Sequence, residues 1–173
     1  MRSLFILTFI ANVVLSLVSL VLLPPRGAIH FGSGGIANNW ASSYFNTLFF
    51  IGTNTFLFVS LYFTPRLVFR FPARWINLPN KDYWLRPENK ARTVEIFSSF
   101  IYEFGAALLL FFLAAQLLTI RANLSQPVRL GEKLFLLALA LFMLYTVYWC
   151  IKLFKAFRLP QETEDANRPH NLC

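Results

Sequence analysis

Four long runs of apolar residues constrain this chain more than any other feature of its sequence. The runs cover residues 4–23, 44–63, 96–120 and 134–154, and their only acidic residue is Glu103. A helix that spans a membrane needs about 20 mostly apolar residues, because the hydrocarbon core is about 30 Å thick and each residue rises about 1.5 Å. The sequence therefore predicts an all-α, polytopic membrane protein with four transmembrane helices.

The composition agrees with a membrane protein and excludes several other classes. Hydrophobic residues make up 57% of the 173 positions and charged residues only 14%, whereas soluble domains usually have about 45–50% and about 25%. A soluble enzyme and a disordered chain are therefore excluded. The first apolar run exceeds the roughly 7–15 residues of a signal-peptide core, so we expect a retained helix. We predict one transmembrane domain over residues 1–160 and a polar, disordered cytoplasmic tail over residues 161–173.

The basic residues between the runs predict the orientation of the chain. If the N-terminus is inside, 12 of the 16 Lys and Arg residues lie on the inner side and 4 on the outer side. Because such residues near the ends of spans are retained in the cytoplasm, both termini are expected there. Proline suits the first turn of a helix, so the third helix is expected to begin at Pro87 and to extend into the cytoplasm. We expect the bilayer, and no nucleic acid, as partner, in the bacterial cytoplasmic (inner) membrane.

The inner connection, residues 64–94, combines prolines, bases and aromatic rings. Pro65, Pro72 and Pro79 prevent one continuous helix, and the second span is expected to close at Thr64 and Pro65. Rings and long basic side chains together suit the headgroup zone. The expected inner-leaflet contacts are Arg66, Arg70, Arg74, Trp75 and Trp84. This connection is interpreted either as a lid lying on the inner leaflet or as a simple anchor for two spans.

Glu103 is the most informative single residue, because an ionised carboxylate inside a membrane is costly and marks a functional site by default. On one interpretation it is a proton or cation site, with Asn12 or Asn54 as a partner or with the carboxyl group protonated. On the other, it lies close enough to the cytoplasmic interface to reach water or a base such as Arg66. Both interpretations stay open at this point.

Small and polar residues in the spans predict how the helices meet. Ala107 and Ala114 lie seven residues apart, hence on one face of the third span, and Ala138 is expected to oppose them at a close helix approach. Gln116 and Asn54 are expected to form hydrogen bonds between helices.

The outer connection, residues 24–43, has four glycines in nine residues, which predicts tight turns or the close approach of another chain or ligand. His30 lies in this stretch and is a second candidate functional residue. A metal site needs several ligands, and Glu132 is the only other candidate ligand on the outer side. We therefore expect His30 to hold the glycine turn through hydrogen bonds to the backbone.

The same connection resembles a known family. The proline–x–x–x–x–His–Phe–x–x–x–Gly pattern of domain-of-unknown-function family 1648 is matched in order by Pro25, His30, Phe31 and Gly35, and Trp40 falls where that family often has a tryptophan. Residues 77–88 resemble a segment of small bacterial membrane proteins of the same group. A related domain occurs in SdpI-type immunity proteins, so the resemblance implies a small membrane protein of this kind. The family brings no agreed catalytic residues.

These observations leave two functions open. The sequence offers no nucleophile with a base, no cofactor fingerprint and no metal-ligand spacing, so we predict a protein that is not an enzyme and carries no cofactor or metal. The first hypothesis is a non-catalytic integral membrane protein, an accessory or structural subunit of a larger membrane assembly. The alternative is a small transporter or a sensor or immunity-type membrane protein that uses Glu103 as a proton or cation site.

Overall fold

The computed structural model describes residues 1–160, so the predicted tail at residues 161–173 lies outside the described residues. Within this range the elements are α1 (Arg2–Leu22), β1 (Arg26–Phe31), β2 (Ala37–Ser42), α2 (Ser43–Val68), α3 (Lys81–Trp84), α4 (Pro87–Asn123) and α5 (Glu132–Ala156). The helices α1, α2, α4 and α5 are long and apolar enough to cross a membrane. The four predicted helices are thus confirmed as helices of spanning length and composition.

The two ends of the bundle differ in structure. The hairpin end carries the strands β1 and β2 and the α4–α5 connection at residues 124–131. The α3 end carries residues 69–86, the ends of α2 and α5, and the beginnings of α1 and α4. The helix α4 begins at Pro87 as predicted and has 37 residues, about 55 Å at about 1.5 Å per residue. The part of α4 that exceeds the thickness of a hydrocarbon core lies at the α3 end.

The prediction that the second span closes at Thr64 and Pro65 is wrong, because α2 continues through Pro65 to Val68. A proline removes one backbone donor, and here the helix ends within a turn of the proline. The Thr64 hydroxyl also donates to the carbonyl of Ser60 at 2.7 Å. Such local adjustments let membrane helices tolerate a proline.

Three of the long helices form the core of the bundle. The ring of Phe5 in α1 is fully buried against Gly105 of α4 and stacks with Phe58 of α2 at 4.8 Å and Tyr102 of α4 at 5.7 Å between ring centroids. The helix α5 packs against α4 and has no buried residue. The fold is therefore a compact α1–α2–α4 core with α5 attached along α4.

Buried polar side chains connect the three core helices. The Asn12 amide Nδ2 of α1 donates to the backbone carbonyl of Leu109 in α4 at 2.9 Å. The Gln116 amide Nε2 donates to the Ser16 hydroxyl at 2.9 Å, which is the kind of interhelical hydrogen bond expected of Gln116. The expectation for Asn54 is wrong, because its Nδ2 donates to the carbonyl of Phe50 within the same helix at 2.8 Å.

The outer connection forms a two-stranded antiparallel hairpin, which the all-α prediction did not include. The hairpin is docked on the helices: the Asn123 Oδ1 accepts from the amide of Ala28 at 2.6 Å, and its Nδ2 donates to the Ala28 carbonyl at 3.0 Å. At its turn, Gly35 has φ +72° and accepts at its carbonyl from the Leu130 amide at 2.9 Å. The expected tight turns and close approach are thus both present, and the approaching segment belongs to the same chain.

Candidate functional site

Glu103 forms an ion pair with Lys152 across the α4–α5 contact. The Lys152 ammonium donates to both carboxylate oxygens of Glu103, at 2.7 and 2.8 Å, and the Tyr145 hydroxyl donates to Oε1 at 3.3 Å. The same ammonium lies 5.3 Å from the centroid of the Phe100 ring. At these distances the carboxylate and the ammonium neutralise each other locally. Charged side chains inside a membrane are usually paired in this way.

The residues named from the sequence as partners of Glu103 are therefore wrong, although the interpretation that Glu103 reaches a base is borne out, with Lys152 in place of Arg66. Asn12 uses its amide to bridge α1 and α4, and Asn54 donates within α2. The Arg66 guanidinium lies 5.4 Å from the centroid of the Tyr62 ring. Sequence reasoning counted Lys152 among the tail bases, because it lies close to the end of the last apolar run.

Lys152 could have been found from the sequence by comparing how far Glu103 and Lys152 lie from the hairpin end along their helices. Glu103 precedes Asn123, the last residue of α4, by 20 residues, and Lys152 follows Glu132, the first residue of α5, by 20 residues. At about 1.5 Å per residue, both side chains start about 30 Å from the hairpin end, which is about the thickness of a hydrocarbon core. The ion pair therefore lies at the edge of the apolar band near the α3 end, not at its middle.

A groove of about 570 Å³ runs from this ion pair between α1, α4 and α5. Its lining includes the small residues Ala106, Ala107 and Ala114 of α4 and Ala138 of α5, and we call it the alanine groove. The close helix approach predicted at Ala107, Ala114 and Ala138 is therefore wrong: these residues line an open space. The close approach on α4 occurs instead at Gly105, against Phe5 of α1.

His30 and the other outer motif residues lie in or beside the hairpin. The His30 Nδ1 lies 2.6 Å from the Asn38 Oδ1, and since this oxygen only accepts, the histidine nitrogen is the donor. The expectation of backbone hydrogen bonds is corrected to this side-chain contact between the two strands. The carbonyl of Pro25 accepts from the Ser43 amide at 3.1 Å.

The remaining motif residues differ in their roles. Phe31 pairs with Ala37 and Trp40 with Ala28 in the strand register, and the Trp40 ring is exposed. A Cβ at Gly35 would lie 2.2 Å from the carbonyl oxygen of Leu130. Gly35 is thus required by the contact between the hairpin and the α4–α5 connection, and the other motif residues serve the hairpin itself.

The expected inner-leaflet contacts divide into two groups. Arg66, Arg70, Arg74 and Trp75 are exposed at the α3 end, and the Arg74 guanidinium lies 5.7 Å from the Trp75 ring centroid. Trp84 is only 4% exposed, so its assignment to the headgroup zone is corrected.

Trp84 belongs to a cluster that we call the aromatic cap, formed by Ile76, Leu78, Trp84 and Phe157. The Trp84 indole Nε1 and the Asn80 amide Nδ2 both donate to the Phe157 carbonyl at 2.9 Å. These two bonds satisfy a carbonyl at the end of α5 that the helix leaves without a partner. The connection between α2 and α4 is therefore packed beneath the end of α5.

Residues 1–160 contain no group of three His, Cys, Asp or Glu side chains placed to hold a metal ion. Comparisons with protein-family models, with curated proteins and with solved structures found no match to this chain.

Proposed function

We propose that this chain is a non-catalytic integral membrane protein that acts as an accessory or structural subunit of a larger membrane assembly. The observation that carries the proposal is the arrangement of α5. In the described part of the chain this helix packs against α4 and has no buried residue, whereas α1, α2 and α4 bury side chains against one another.

The outward face of α5 has the spacing of a helix-packing seam. Its members follow one another at alternating intervals of three and four residues, and all of them are exposed: Leu137, Ala140, Leu144, Val147, Ile151 and Phe154. We call this the α5 seam. Apolar residues in this heptad spacing face a second helix in coiled coils, and helix pairs in membranes use the same left-handed crossing. The seam therefore offers a continuous surface for a helix of a partner subunit.

The geometry gives less support to a transporter or sensor that uses Glu103 as a proton or cation site. Such a site needs water at the carboxylate and lies near the middle of the membrane in many transporters. The carboxylate of Glu103 is instead paired with Lys152 near the edge of the apolar band, and the groove that reaches it is walled mostly by apolar side chains. The ion pair fits a contact that holds α5 against α4.

The orientation and location belong to the same proposal. An excess of bases at the α3 end supports the placement of that end, with both termini and the first turns of α4, in the cytoplasm. Within residues 1–160 this end has 11 Lys and Arg residues against 4 at the hairpin end. A bacterial inner membrane and a relation to family 1648 are proposed on the outer motif at Pro25, His30 and Gly35.

Site-specific photo-crosslinking tests the subunit proposal. A photoreactive residue at Leu144 in the α5 seam is compared with one at Val14, an exposed residue of α1. After purification in mild detergent, we expect position 144 to give one discrete protein adduct in stoichiometric amount and position 14 to give lipid adducts. Lipid adducts alone at both positions would show that α5 faces lipid and would refute the proposal.

A further inference from the structure

The alanine groove has the length of one membrane leaflet. Along α4 it extends from Glu103 to Ala114, a separation of 11 positions or about 16 Å at about 1.5 Å per residue. Half of a hydrocarbon core is about 15 Å. Because Glu103 lies at the edge of the apolar band, the groove reaches from the headgroup level of the α3-end leaflet to the middle of the membrane.

The dimensions of the groove suit a hydrocarbon chain. Its volume is about 570 Å³ over a length of about 16 Å. A single extended hydrocarbon chain, with carbon contacts at about 4 Å, has a cross-section of about 20 Å² and fills about 320 Å³ over that length. The groove therefore has room for one such chain.

Polar groups are concentrated at one end of the groove, as an amphiphile requires. The carboxylate of Glu103 and the hydroxyl of Tyr145 lie at the α3 end, whereas the lining toward the opposite end includes the apolar residues Ala114 and Ala138. Lys152 directs two of its three ammonium donors to Glu103, and its side chain is 40% exposed. It therefore has one donor to offer to a phosphate at the mouth of the groove.

The charge of the α3 end favours an anionic lipid. Within residues 1–160 this end has 11 bases and only four acids, Asp82, Glu88, Glu95 and Glu103. Basic residues beside a membrane span attract anionic headgroups by roughly 1 kcal/mol each.

We propose that the alanine groove binds one acyl chain of an anionic glycerophospholipid from the leaflet at the α3 end, with the lipid phosphate beside Lys152. The small side chains at Ala106, Ala107, Ala114 and Ala138 provide the space for the chain, and the ion pair fixes the position of the headgroup. This site is separate from the α5 seam, which lies on another face of α5.

Native mass spectrometry of the delipidated full chain with added phosphatidylglycerol tests this proposal. Two variants fill the groove, Ala107→Phe and Ala138→Phe. The matched control, Leu136→Phe, places the same ring at an exposed position of α5 outside both the groove and the α5 seam. We expect one phosphatidylglycerol to bind the wild type and the control with the same affinity, and each groove variant to bind at least about tenfold more weakly. Unchanged binding by the groove variants would overturn the proposal.

Two further measurements test separately the contributions of the acyl chain and of the headgroup to binding. If the groove takes a single chain, lysophosphatidylglycerol binds the wild type within about threefold of phosphatidylglycerol, and excess glycerol 3-phosphate does not displace either lipid. A loss of tenfold or more with the lyso lipid, or displacement by glycerol 3-phosphate, would contradict the assignment even if a groove variant failed to fold. The double variant Glu103→Gln/Lys152→Gln is expected to reduce phosphatidylglycerol binding to that of phosphatidylcholine, and a retained preference would refute the role of Lys152.

Discussion

Gly105 of α4 lies against the ring of Phe5 of α1. A Cβ at Gly105 would stand 2.5 Å from Phe5 Cε2, well inside van der Waals contact. The ring cannot turn away, because it is fully buried and stacked with Phe58 and Tyr102. Overpacking of this kind costs about 1–3 kcal/mol, and alanine regains about 0.5–1 kcal/mol of helix propensity over glycine. We therefore expect Gly105→Ala to lower the free energy of unfolding by about 1–2 kcal/mol.

A second helical glycine provides the matched control. A Cβ at Gly52 of α2 would meet no other atom within 4 Å, so Gly52→Ala gains propensity without a clash. We expect this variant to be more stable than the wild type by about 0.5–1 kcal/mol. The two substitutions are chemically identical and both lie in spanning helices, so the difference between them reports the contact with Phe5.

The assay is equilibrium unfolding by sodium dodecyl sulfate in mixed micelles, followed by tryptophan fluorescence and circular dichroism. In a Phe5→Leu background, which shortens the opposing side chain, Gly105→Ala should cost at least about 1 kcal/mol less than in the wild type. The reasoning would be refuted if Gly105→Ala stabilised the wild type as much as Gly52→Ala does, or if its cost were unchanged by Phe5→Leu.

Three further predictions use other contacts. Glu103→Gln and Lys152→Gln should each lower the free energy of unfolding by about 1–2 kcal/mol, because each single change leaves the other group without its partner. The double variant should lower it by less than the sum of the two; additive losses in the same assay would show that the two side chains do not interact. Asn12→Leu should be less stable than Asn54→Leu by about 1 kcal/mol, since the Asn12 Nδ2 donates to α4 whereas the Asn54 Nδ2 donates only within α2; the reverse order would contradict the assignment. Gly35→Ala should loosen the docked hairpin, because the new Cβ would overlap a backbone carbonyl and Gly35 has a positive φ. We expect faster amide exchange over residues 26–42 with exchange in α2 unchanged; protection equal to the wild type would refute this.

The spanning helices could be predicted because their signal is local. The length of each apolar run and the proline at position 87 predicted the ends of three of the four helices to within three residues. The exception was α2, where Pro65 was expected to end the helix. The proline lies so near the end of α2 that the loss of one donor does not stop the last turn.

The hairpin and the ion pair could not be predicted from local pattern, because both depend on contacts distant in the sequence. The strands are short, and Asn123 of α4 completes the hydrogen bonding of Ala28 from 95 residues away. The partner of Glu103 lies 49 residues away, on a helix that the sequence does not place beside it. Periodicity shows which face of a helix is apolar, but it does not show which helices are neighbours.

The same limit explains the alanines and Trp84. Small residues on a span predict a close approach only if another helix occupies that face, and Ala107 and Ala114 line a groove instead. Trp84 is a residue type that often lies in the headgroup zone, but here its indole donates to the Phe157 carbonyl at the end of α5 and the side chain is buried. In both cases the tertiary arrangement decided the role of the residue.

The central claim is that four helices cross the membrane and place the hairpin end and the α3 end on opposite faces. The most direct measurement is labelling of single cysteines by a membrane-impermeant maleimide, in a chain whose native cysteines at positions 150 and 173 are replaced by serine. Cysteines that replace Ser33 and Ser125 are expected to react in intact cells, and one that replaces Lys90 only after permeabilisation. Labelling of positions 33 and 125 from opposite sides, or of position 90 together with them in intact cells, would contradict the account.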